Sequence, residues 1–426
     1  MKIVSKMALA IALGGMAIAA PAFAKKEEKP AAAASAEKAT PAVQKAAFDA
    51  QKAADAGDIP TALTNYNTAK AAMVNNTDKF MVGRVGYQIF QKNKDEALFS
   101  EVVDMMLSSG LASADAQKQL YFAQGQIAYN KKDYAKALTA FQGAEKAGST
   151  DPDLVPLIVE STALQGRTLD ALKTLNDEAT KRAAAGQPVP PEWYQRGVSI
   201  GYKNKSPSDQ AAINQLTLEL CLKWVASAPQ PQYWNGALEV YAQQFKLDNE
   251  GRLEMLRLLR AAGGLEGGDD YREYADDVYL RFPNEAMTVL QEGAAKGKIS
   301  LTGKNDATDV MGIVKGKVVA DKASLPGADK ASRAAATGKA ALSTADAYVG
   351  YGDYAKAVDL YKVALAKGGV DAGTVNLHMG WALALSGDNA GAKTAFQAVT
   401  GARKPIADFW LIHLDHPTVP NVVAPK

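Results

Sequence analysis

The sequence contains three histidines, all toward its C-terminal end: His378, His413 and His416. His413 and His416 stand three residues apart, with Asp415 between them, near the end of a segment that reads as a helix. Two imidazoles about one turn apart suit a divalent metal if a further ligand completes the set. His413, Asp415 and His416 are thus the candidate metal ligands, but they lack the four-ligand spacing of a structural zinc site. Cationic side chains at a helix C-terminus are also favoured by the macrodipole without any metal. The expectation is no metal and no cofactor.

The single cysteine, Cys221 in LTLELCLKWV, lies on an apolar helical face and reads as core. The acidic stretch from Gly263 to Asp277 lacks the calcium loop's Asp-x-Asp-x-Asp-Gly order and reads as a flexible turn followed by acids at a helix start. No Gly-x-Ser-x-Gly, His-Glu-x-x-His, phosphate-loop or dinucleotide fingerprint occurs, so no enzyme is expected.

What would position any binding residue is a helical framework. The chain opens with Lys2 and Lys6, an apolar run from Met7 to Ala20, and Ala22-Phe23-Ala24. These are the parts of a cleaved export signal over residues 1–24, of bacterial type, and the run is short of the ~20 residues a bilayer crossing needs. No cysteine follows it to take a lipid, so the expected location is the periplasm or the outer-membrane periphery, with no membrane span after cleavage. The formal charge is +2 and falls to zero once Lys2 and Lys6 leave, which argues against a nucleic-acid partner. Residues 25–44 are Ala, Lys, Glu and Pro with almost no large apolar side chain and read as a disordered linker.

From Ala46 onward the chain is Ala-rich and helix-forming, broken by short polar turns. Aligned on the turn aspartates Asp58, Asp133, Asp353 and Asp388, four copies of one pattern appear. Alanine follows at the fourth position (Ala62, Ala137, Ala357, Ala392) and an aromatic at the eighth (Tyr66, Phe141, Tyr361, Phe396). The eleventh holds Ala69, Ala144, Ala364 or Val399, and the eighth upstream Ala50, Gly125, Ala345 or Gly380. A small residue on a first helix lets a second approach, the aspartate caps that second helix, and a ring one turn beyond the alanine fills the space between them.

This pattern resembles the tetratricopeptide repeat, a pair of antiparallel helices about 34 residues long. The resemblance implies an all-α, right-handed superhelical solenoid of such hairpins. The expected organisation is an array over 45–300, divergent from about residue 190, an irregular spacer or hinge over 301–336 with room for a helix over 306–323, a C-terminal repeat pair with a capping helix over 337–416, and a disordered tail over 417–426. In that family the first helix of each hairpin lines a concave groove. Its positions fall here on Phe122, Gln126, Tyr129 and Asn130, on Tyr194 and Tyr202, and on Leu377 and Trp381. The Lys and Asn clamp by which some members hold chaperone C-termini is missing, since Phe122 and Gln126 stand in those places. The expected function is a non-catalytic scaffold for protein partners of the cell envelope, an outer-membrane protein among them. The alternative is a carbohydrate- or nutrient-capture protein that docks on an outer-membrane transporter.

Overall fold

The computed structural model describes residues 37–205 and 208–418. The export signal, the linker up to residue 36 and the tail from residue 419 lie outside the described residues. Contacts between helices divide the chain into two units, Met1–Glu178 and Ala179–Lys426.

The first unit is a run of antiparallel hairpins. They are α1 (Pro41–Asp55) with α2 (Ile59–Ala71), α3 (Asn76–Asn93) with α4 (Glu96–Ser108), and α5 (Ala114–Asn130) with α6 (Tyr134–Lys146). Then follow α7 (Leu154–Ala163) and α8 (Thr168–Ala184), inside which the division falls. Within this unit each helix packs on the next or the next but one. The first turn of α1 takes in Pro41 to Gln44, so the expected linker ends at Thr40 rather than at residue 44. Proline at the first helical position has its φ preset and no N–H to leave unpaired, which favours a start there.

The second unit continues with α9 (Pro191–Tyr202), α10 (Gln210–Ser227), α11 (Pro231–Phe245), α12 (Asn249–Ala261), α13 (Gly268–Val278) and α14 (Pro283–Ala295). It ends with α15 (Asp306–Ala334), α16 (Lys339–Gly350), α17 (Tyr354–Lys367), α18 (Ala372–Leu385), α19 (Asn389–Gln397), a 3₁₀ turn (Gly401–Arg403) and α20 (Lys404–Asp415). The expected spacer over 301–336 is instead mostly the 29-residue helix α15, with Pro326 inside it. Its glycines disguise the helix, but Ala307, Met311, Val314, Leu325 and Ser332 are buried at spacings that fall along one helical stripe. The seam supplies the stability that composition alone denies.

The repeat pattern is realised in both units. Asp58, Asp133, Asp353 and Asp388 each cap a second helix, accepting the backbone N–H of Thr61, Lys136, Lys356 and Gly391 at 3.1, 3.0, 3.4 and 2.9 Å. The alanines at the fourth position and the rings at the eighth are all buried. Close approach explains the glycines: a methyl group at Gly125 would lie 2.4 Å from Phe141 Cε1, and one at Gly380 would lie 2.5 Å from Phe396 Cε1. The fold is therefore an all-α solenoid of tetratricopeptide-like hairpins, with no strand among the described residues.

Candidate functional site

In the first unit the face of α5 assigned to the groove divides along its length. Phe122 is core: it is buried, with its ring 5.7 Å from that of Phe141. Gln126 and Tyr129 are half-buried and Asn130 is exposed. Tyr129 stands edge-on to Tyr134 at 5.6 Å, which fixes the ring at the mouth of the hairpin.

The second unit closes on itself. Its last helix, α20, packs on α10, α12 and α18 as well as on α19. Phe409 lies 6.2 Å from Trp234 and 5.8 Å from Tyr241, both on α11, and Trp410 stacks on Phe396 of the last repeat at 5.4 Å. The helix thus covers the end of the array, as a cap would, and also ties that end to helices near the unit's start.

Inside this closure lies a belt of buried charge. Arg257 on α12 makes a bidentate pair with Glu285 on α14, Nε to Oε1 at 2.9 Å and a terminal nitrogen to Oε2 at 2.8 Å. Tyr274 donates its hydroxyl to the same Glu285 Oε1 at 2.8 Å. On the other side, Asp346 on α16 accepts from Tyr361 at 2.6 Å and lies 2.8 Å from His378 Nδ1 on α18. His378 Nε2 faces Glu254 Oε1 on α12 at 3.3 Å. Arg403 follows, its Nε 3.0 Å from Glu254 Oε2 at an angle that makes no hydrogen bond, and its terminal nitrogens 3.1 and 3.3 Å from the carboxylate of Asp248, the cap of α12.

With His378 protonated, the three buried carboxylates (Glu254, Glu285, Asp346) meet three cations (Arg257, His378, Arg403), and the exposed Asp248 adds a fourth carboxylate at the rim. Burial by itself would drive the proton off His378, but the Asp346 carboxylate and the hydrogen bonds to Asp346 and Glu254 outweigh it and raise its pKa to about 9. Asp346 is held below the usual carboxylate range: burial opposes this, and the charge and hydrogen bond of His378 overcome it.

The belt corrects the groove expected in the last repeat. Leu377 is 2% and Trp381 6% exposed, and the place a ligand was to take at Trp381 is held by a side chain of α12. The Arg257 guanidinium lies over the Trp381 ring, 4.1 Å from its centroid. Tyr194 is likewise buried, and desolvation pushes its hydroxyl pKa up. Tyr202 remains 44% exposed and donates its hydroxyl to Gln243.

The candidate metal ligands do not converge. His413 turns its ring edge-on to Trp234 and Trp410, each 5.7 Å away, and burial lowers its pKa. Asp415 pairs with Lys393. Among the described residues no group of three or more His, Cys, Asp or Glu side chains is placed to hold a metal. Burial also pushes the Cys221 thiol pKa up, which makes it a poor nucleophile.

No protein-family model and no curated protein matches the sequence. Among solved structures, a chain of the Naa15/Naa10 complex bound to HypK-THB is similar over 85% of this chain, at 12% identity and a TM-score of 0.32. This chain spans 58% of that one. A chain of the APC/C hetero-tetramer Cut9-Hcn1 is similar over 88% of this chain and 90% of its own, at 10% identity and a TM-score of 0.20.

Proposed function

We propose that the protein is a non-catalytic scaffold, exported to the periplasm or outer-membrane periphery of a bacterium, and that it holds a protein partner on the first-helix wall of its first unit. One observation carries this reading: the equivalent wall of the second unit is filled by its own α12, whereas α5 keeps Gln126, Tyr129 and Asn130 at the surface. The second unit then serves as a closed, rigid body. The parts of an export signal in residues 1–24 support the location, and among the described residues no helix is long and apolar enough to cross a membrane.

The test places a photo-crosslinking residue at Asn130 in the cell that makes the protein. An adduct with an envelope protein is expected, and none from the same residue at position 377. Recovery of the intact, uncleaved chain in the cytoplasm, or silence at position 130, overturns the reading.

A second reading, glycan capture, draws on Tyr202, which is exposed and bonded to the amide of Gln243. Rings and amides are the groups that hold sugars, and retention on a glycan column lost with Tyr202→Ala would favour it.

A further inference from the structure

In five hairpins the residue before the cap aspartate of the second helix stands in the left-handed region. Before Asp58, Asp353 and Asp388 it is a glycine, with φ of 79°, 77° and 85° at Gly57, Gly352 and Gly387. Before Asp95 and Asp133 it is a lysine, with φ of 58° at Lys94 and 62° at Lys132. Glycine is at ease in that conformation and a side chain is not, so these two turns carry a cost that glycine would remove. Backbone held in this way collects where the side chain is used.

The two lysine turns lie level with one another. α4 packs on α5, and Gln124 of α5 donates to Asp104 of α4 at 2.5 Å. Asp104 follows Asp95 by as many residues as Gln124 precedes Asp133, so equal helical rises bring both turns out at one height. Gln165, just after α7, donates to the carbonyl of Tyr134 at 3.2 Å and sets the next turn beside them.

The edge so formed is cationic and partly apolar. Lys92, Lys94, Lys131 and Lys132 are all exposed, and none pairs with a carboxylate among the described residues. Asp95 and Asp133 turn to the first N–H groups of α4 and α6, where the helix N-terminus offsets their charge. Glu96 is the other acid of these two turns, and in the next turn Arg167 is tied to Asp170. Leu164, the neighbour of Gln165, is 46% exposed.

We propose that this edge of the first unit docks on an anionic lipid surface, with the four lysines on headgroup phosphates and Leu164 in the apolar layer beneath them. The proposal goes beyond the scaffold reading and needs no protein partner. An ammonium on a long flexible stem meets phosphates at varied heights, as a fluid headgroup layer presents them. A bilayer also accepts an apolar side chain wherever it falls, whereas an acidic protein would need a pocket shaped for Leu164. Each lysine near such a surface is worth about fivefold in affinity, so the edge acts as a set.

The test sediments the exported chain, without residues 1–24, with lipid vesicles. Vesicles containing phosphatidylglycerol should bind it at least tenfold more tightly than phosphatidylcholine alone, and added salt should weaken the binding. Lys94→Gly with Lys132→Gly should weaken it about tenfold or more, while the unfolding midpoint stays at or above that of the parent, since glycine suits both turns. Leu164→Asn should weaken binding at high salt as well as low. Equal binding to the two kinds of vesicle, or binding unmoved by the two glycines, overturns the proposal. So does capture on immobilised polyglutamate that is as tight as on the vesicles and indifferent to Leu164→Asn, which would assign the edge to an acidic protein.

Discussion

The guanidinium of Arg257 lies over the indole of Trp381, two residues 124 positions apart in sequence and both buried. The stack joins α12 to α18 through the middle of the second unit, and the same arginine grips Glu285 with two hydrogen bonds. A cation there is stable only while its carboxylate is present, because an unpaired charge in that position has no water to turn to.

Arg257→Ala should therefore destabilise the second unit by about 3–5 kcal/mol, since it strands Glu285. The pair Arg257→Met with Glu285→Leu should lie near the parent or above it, because it removes both charges at similar volume. All five tryptophans (Trp193, Trp224, Trp234, Trp381 and Trp410) belong to this unit, so urea unfolding followed by tryptophan fluorescence reads it separately from the first. Equal losses in the single and double variants would contradict the account.

The belt also sets a dependence on pH. His378 moves from an ordinary 6.5 to about 9 on folding, so the folded state holds a proton that the unfolded state releases. Its contribution is complete below pH 6.5, falls by about 1.4 kcal/mol per pH unit across the window from 6.5 to 9, and is gone above it. Asp346, held low, acts at the acid end, where its contribution is lost as the pH falls below the usual carboxylate range. His378→Gln should flatten the alkaline arm of the stability profile; an unchanged slope would show that another group titrates there.

Gly380→Ala should destabilise by about 1–2 kcal/mol despite alanine's better helix propensity, because the added methyl would lie 2.5 Å from the Phe396 ring. Adding Phe396→Leu should restore much of the loss, and the fluorescence-detected midpoint gives the comparison.

In the first unit Asp78 accepts from the backbone N–H groups of Thr40, Val74 and Asn75 at 2.7, 3.0 and 3.4 Å, and from the Thr40 hydroxyl at 3.3 Å. Asp78→Ala leaves those donors unpaired, at a cost of about 1–3 kcal/mol. Amide exchange at Thr40 and Val74 should quicken ahead of the α5–α6 hairpin, whereas uniform exchange across the unit would count against a local role.

The hairpins are legible in sequence because their code is local: Asp133, Ala137 and Phe141 act on one another and on Gly125 within a span of seventeen residues. The belt is not. Glu254 and Arg257 sit in a run of alternating charge that reads as a solvated helix face, and their partners His378 and Trp381 come six helices later. The same long range misled the groove assignment, since Trp381 meets Arg257 of α12 where a ligand was expected. The full length of α15 is hard to read for another reason: its buried stripe is narrow and its glycines weaken every local helical signal.

The return of α20 onto α10 and α12 also sets an order of events during synthesis. Helices of the first unit need only their near neighbours and can settle while the chain is still emerging, as low contact order allows. The second unit has to hold Asp248 and Glu254 ready across some 150 residues until Arg403 arrives. A chain ended about two dozen residues early, before Arg403, would leave a second unit with its centre still open to water.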